Sequence, residues 1–154
     1  MKEFGVRFRI NNRERFKTLQ TLFYEIKRDK EVNEFRDPQD WIELIPESVR
    51  LNFIWPDLVE REEWLSRKPF TPIAISPVTE QLNQRWDFFR VFESFEEVEY
   101  DLLFCEMIDL ETAEIHISPW AYPYGGLGSI IALVEAYGFF VLGFNECGSY
   151  QLRE

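Results

Sequence analysis

Residues 127–144 read LGSIIALVEAYGFFVLGF, and this stretch leaves the chain few ways to fold. It approaches the length of a membrane-spanning helix, which needs about 20 predominantly apolar residues. Glu135 stands near its middle, three glycines interrupt it, and no Lys or Arg flanks it to set an orientation. The better reading is a buried helix over residues 129–137, stopped by Gly138, followed by a buried strand over residues 139–144.

The rest of the chain supplies further elements of both kinds. Phe4, Val6, Phe8 and Ile10 alternate with Gly5, Arg7 and Arg9, which predicts a strand with one wet face. Asn11 or Asn12 can cap the helix after it. In that helix Phe16, Leu19, Leu22, Phe23 and Ile26 recur at three- and four-residue spacing, which predicts an amphipathic element over residues 13–30. Asp37-Pro38 reads as a capping carboxylate followed by a proline where no amide is needed. The short helix it starts should end before Pro46. Val49, Leu51, Phe53 and Trp55 alternate with polar residues and predict a strand, closed by Pro56-Asp57. A polar helix around Trp64 and Leu65 is expected next. Three prolines over residues 69–77 suit an edge strand or an extended connection. Over residues 78–92 Leu82, Trp86 and Phe89 fit a helix and Trp86, Phe88 and Phe92 part of a strand; the poor strand composition of residues 79–84 favours the helix.

A hairpin comes after these. Residues 100–108 form one strand, Asp109 can accept backbone bonds in the turn, and residues 114–118 return with Ile115 and Ile117 on one face. A loop over residues 119–128 is rich in Trp, Tyr, Pro and Gly, and residues 150–152 form a last short strand. The 154 residues show no internal repeat and no inter-domain linker, so one domain spanning 1–154 is expected. Strands and helices do not alternate regularly. That order predicts an α+β fold: an antiparallel-rich sheet with helices packed mainly on one face, a two-layer sandwich.

Charge narrows the function. The formal net charge is -11. It is unevenly spread: residues 1–36 carry ten Lys/Arg against six Asp/Glu, and residues 37–154 carry seven against twenty-two. After Arg90 the only Lys or Arg is Arg153. Such a field repels phosphate backbones, which argues against nucleic acid, and draws in basic proteins. The N-terminus opens no apolar signal region, so a cytoplasmic protein with no membrane span is expected.

The densest acidic run is Glu93, Glu96, Glu97, Glu99 and Asp101, interleaved with Phe92, Phe95, Val98 and Tyr100. The loop after the hairpin adds Trp120, Tyr122 and Tyr124. Exposed rings beside carboxylates suit a partner-binding surface, because Trp and Tyr are favoured interface anchors. These eight charged and ring residues predict an acidic protein-binding protein for a basic partner. One version is an immunity-type inhibitor that covers a basic toxin or nuclease. The bland alternatives are a solvated acidic face and a lid of rings over the core.

Catalytic chemistry has weaker support. Cys105, His116 and Glu114 have the residue types of a nucleophile, a base and a group orienting the base. They share a face if Asp109 pairs with Glu114 across the turn. Glu106 and Glu114 are an alternative carboxylate pair, and either set would make the chain a small hydrolase or transferase. A homo-oligomeric scaffold is a third reading. Cys105 and Cys147 do not form a disulfide framework, and one histidine gives no zinc spacing. Gly125-Gly126-Leu127-Gly128-Ser129 lacks the lysine of a phosphate loop and reads as a turn before a helix. No cofactor and no metal is expected.

Overall fold

The computed structural model describes residues 4–53, 87–121, 124–146 and 150–152. Among the described residues five strands form one antiparallel sheet: β1 (Gly5–Arg9), β2 (Tyr100–Met107), β3 (Thr112–Pro119), β4 (Phe140–Asn145) and β5 (Tyr150–Leu152). Their order across the sheet is β2-β3-β1-β4-β5, so the first strand lies at the centre. The main helices are α1 (Arg13–Val32), α3 (Phe88–Glu97) and α4 (Gly128–Ala136). A 3-10 helix, Pro38–Leu44, and the one-turn α2, Glu47–Arg50, come after α1. The fold is the expected α+β sandwich.

Alternation decides what each face of the sheet carries. In β1, Val6 and Phe8 point into the core, as do Ile115 and Ala113, their partners in β3. Arg7 and its partner Glu114 point to the opposite face. α1 closes the core side with Phe16, Leu19, Leu22, Phe23 and Ile26. Burying these five side chains is worth roughly 10 kcal/mol as an upper figure. Asn12 caps α1 by accepting a bond from the Arg15 amide at 2.9 Å. Asn33 ends it in the left-handed conformation (φ 56°) and returns its N–H to the carbonyls of Asp29 and Lys30.

Past that turn, Arg36 comes back to α1. Its guanidinium donates to both oxygens of buried Asp29, at 2.8 and 2.9 Å, and to Glu25 at 2.9 Å. The same group lies 4.2 Å from the centre of the Trp41 ring. Trp41 in turn stacks on Phe92 of α3. Arg36 with its two carboxylate partners, and two rings, thus tie α1, the 3-10 helix and α3 together.

Two sequence expectations need correction, and the bounds of a third shift. Residues 49–53 are not strand. Pro46 accepts bonds from the amides of Val49 and Arg50, and the chain turns through Asn52. Only Val49 and Phe53 are buried, four residues apart as a helical turn requires, while Leu51 is 71% exposed. Asp37 makes no side-chain cap, and the segment it starts is a 3-10 helix. The helix expected over residues 78–92 begins, within the described residues, at Phe88 behind an Asp87 cap, and it runs on to Glu97. Residues 54–86, with the readings made for them, lie outside the described residues. Gly138 does stop α4, at φ 81°.

Candidate functional site: the acidic surface around Trp120

α3 ends at Glu97, and the chain enters edge strand β2 three residues later. The helix end leaves carbonyls without intrahelical partners. Lys30, in the last turn of α1, donates to two of the carbonyls there, Phe95 and Val98, at 3.0 Å each. Its ammonium also lies 5.5 Å from the centre of the Trp120 ring and 5.8 Å from that of Tyr100. Burial pulls the Lys30 pKa down, against the opposing pull of Asp101 and Glu96.

Trp120 is 59% exposed yet fixed in direction. Its indole N–H donates to Asp101 at 3.0 Å. Its backbone N–H donates to the Glu99 carbonyl, and the Glu99 N–H donates to the Tyr124 carbonyl, so one residue of β2's approach brackets the loop on both sides. Around the ring, Glu96, Glu97, Glu99 and Asp101 are all exposed, and Glu93 is half-buried on α3. Asp101 and Glu99 of the acidic run therefore meet the tryptophan named from sequence, and Glu96 lies close enough to Lys30 to act on its charge.

Tyr124 does not join this surface as expected. Tyr124 is 4% exposed. It packs edge-on to Phe4 and Tyr100, and its hydroxyl donates to the Glu146 carbonyl at 2.7 Å. It is a core ring, because the bracket through Glu99 turns it inward. Tyr122 lies outside the described residues. Lys30 was missed in the sequence, where it read only as the end of a helix. A basic residue in a last turn with no acidic neighbour four positions earlier was the available clue.

The face of the sheet opposite α1 carries a second polar group. Glu114 accepts from Arg7 at 2.6 Å and lies 2.7 Å from Nε2 of His116. Phe104 stacks on the imidazole with 4.3 Å between ring centres. Burial pushes the Glu114 pKa up, but the bonds to His116 and Arg7 outweigh it, and the net shift is downward. Glu114 is thus held ionised between two donors, which suits an anchor and not a general acid. Arg7 was read only as part of a wet face.

Cys105 does not belong to this group. The hairpin pairs Glu106 with Glu114 and Cys105 with Ile115, where the expected pairing had joined Asp109 to Glu114. The difference is an odd number of residues, which swaps faces. Cys105 consequently lies on the helix side, away from His116, and burial pushes its thiol far up, so it stays protonated. Glu106 and Glu114 are direct cross-strand partners, as the carboxylate-pair reading requires. Cys147 lies outside the described residues.

Gly125 and Gly126 adopt φ of 100° and 76°, values that glycine takes without strain. The Glu146 carboxylate borders Gly126, an unwelcoming neighbour for an anion. Among the described residues no group of His, Cys, Asp and Glu is arranged to hold a metal, and no helix is long and apolar enough to cross a membrane. No family model, no curated protein and no solved structure matches the chain.

Proposed function

We propose that this chain is a non-enzymatic protein-binding protein that receives a basic partner on the surface around Trp120. The observation that carries the reading is an exposed indole, fixed by Asp101 and Glu99, among four exposed carboxylates. A ring whose direction is set before contact loses little side-chain entropy on binding, and that favours a hot spot. Carboxylates around it speed the encounter with cations and select against acidic competitors. An inhibitor that covers a basic toxin is the form of this function that fits the charge best.

The test is a pull-down from the native host's extract at low salt, followed by affinity measurements on the recovered protein. Binding should weaken steeply as salt rises, because exposed charges are screened beyond about 10 Å at 0.1 M. Trp120→Ala should weaken it tenfold or more, as an interface anchor does. Affinity indifferent to ionic strength sinks the reading.

A further inference from the structure

Among the described strands β2 lies at an edge of the sheet, and an edge ordinarily offers a row of unpaired backbone groups to other chains. At Cys105 that row is occupied. Gln20 Nε2 donates to the Cys105 carbonyl at 2.8 Å, and the Cys105 N–H donates to the Tyr24 hydroxyl at 3.2 Å. Gln20 and Tyr24 are one helical turn apart on α1, so both reach the same spot. Together they give Cys105 the acceptor and donor that a neighbouring strand would give. On either side of this plug the strand keeps Leu103 and Met107 exposed, with Ile108 and Leu110 just beyond. Asp101, Glu106, Asp109 and Glu111, interspersed with them, are exposed as well.

We infer that the outer edge of β2, alongside α1, is a strand-accepting surface held shut by Gln20 and Tyr24. The occupant it fits is an extended basic segment of another protein. Strand addition takes its affinity from main-chain bonds and its selectivity from alternate side chains. An entering strand replaces the two side-chain bonds at Cys105 with backbone bonds of the same kind, so neither backbone group of Cys105 is left unpaired, and the displaced Gln20 and Tyr24 side chains turn to water. Its apolar residues meet Leu103 and Met107, and its cations meet Asp101, Glu106 and Asp109. A second copy of this chain is the poorer occupant, because an antiparallel match of β2 on itself about Cys105 sets Asp101 against Asp109, and the net charge of -11 opposes approach. The proposal rests on the basic-partner reading above and adds the mode of engagement.

The experiment uses short synthetic peptides alternating lysine and valine, with and without N-methylation of alternate backbone amides. Binding is followed by fluorescence polarisation at low and high salt, and the Leu103, Cys105 and Met107 amides are followed by NMR. The unmethylated peptide should bind the whole chain, shift those amides, and lose tenfold or more in affinity on methylation. The Gln20→Ala/Tyr24→Phe variant no longer spends binding energy on opening the edge, and should bind about tenfold tighter. Its thermal unfolding checks that the fold is kept. If the guard variant unfolds, single Gln20→Ala is read in its place, with a smaller gain. Equal, salt-sensitive binding of both peptides overturns strand addition and leaves the basic-partner reading standing. Equal binding of a glutamate–valine peptide overturns the basic-partner reading itself. No binding of any peptide, or self-association of the guard variant on a sizing column, overturns the assigned occupant.

Discussion

Lys30 and Trp120 lie far apart in the sequence, yet the Lys30 ammonium rests 5.5 Å from the centre of the indole ring. The contact joins the last turn of α1 to the loop after β3, and it is made while Lys30 is already bonded to the end of α3. The lysine therefore holds both the helix end and the ring.

Lys30→Met keeps the length of the side chain and removes the charge. It leaves the Phe95 and Val98 carbonyls without their donor, and stability should fall by about 1–2 kcal/mol. Urea unfolding measures this. Trp120→Ala, at an exposed ring, should cost under about 1 kcal/mol in the same assay.

Arg36 pairs with a carboxylate that is almost fully buried. Arg36→Ala should cost about 2–3 kcal/mol, chiefly because Asp29 is left buried without its partner. Arg36→Lys should recover only part, since an ammonium cannot make the fork to both Asp29 oxygens or stack on Trp41. Burial pulls the Asp29 pKa up, and the Arg36 bonds outweigh it, for a net lowering. A lowered carboxylate adds stability above the ordinary carboxylate range and loses it as pH falls through the folded value. The wild-type chain should thus lose stability below about pH 4, and the Arg36→Ala variant should show a shallower acid slope. Urea unfolding of both chains over a pH series measures the two slopes.

Glu114 obeys the same sign. Glu114→Gln removes the charge between Arg7 and His116, and should destabilise by about 1–3 kcal/mol at neutral pH. The difference from wild type should shrink on acidification as Glu114 itself takes a proton. Chemical denaturation at a series of pH values decides it. A difference that stays constant down to acid pH contradicts the ion-pair assignment.

Gly5 leaves no room for a side chain. A Cβ there would strike the Ile115 carbonyl of the neighbouring strand. Because β1 is flanked on both sides, backbone cannot give way easily. Gly5→Ala should cost about 2–3 kcal/mol or more. Asn33→Ala, at a left-handed helix end, should cost about 1 kcal/mol, while Asn33→Gly should be close to neutral. Thermal unfolding of the three variants tests the ranking.

The elements with strong periodicity were legible. α1 repeats its apolar residues at helical spacing, and β1 alternates cleanly, so local pattern and tertiary burial agree there. Residues 49–53 misled because three alternating apolar residues also satisfy a helical turn if only the outer two are buried. Pro46, whose carbonyl accepts the Val49 and Arg50 amides, tipped the balance. Asp101 and Glu99 of the acidic run come to lie against Trp120 because the hairpin folds the chain between them back on itself. Tyr124 faced inward for a reason the sequence does not print, the backbone bracket at Glu99. The Cys105 face was lost through register, since hairpin pairing depends on turn geometry and a slip by an odd count inverts every side chain.

The central position of β1 has a consequence for how the molecule is made. This strand precedes the other four in the chain, yet it pairs with β3 on one side and β4 on the other, with Gly5 opposite both His116 and Asn145. Neither neighbour exists until more than a hundred further residues have left the ribosome. During that interval Val6, Phe8 and the apolar stripe of α1 wait without their final cover. Folding of the sheet is therefore governed by contacts distant in sequence, which form slowly. The nascent N-terminal segment is the species most in need of protection from aggregation.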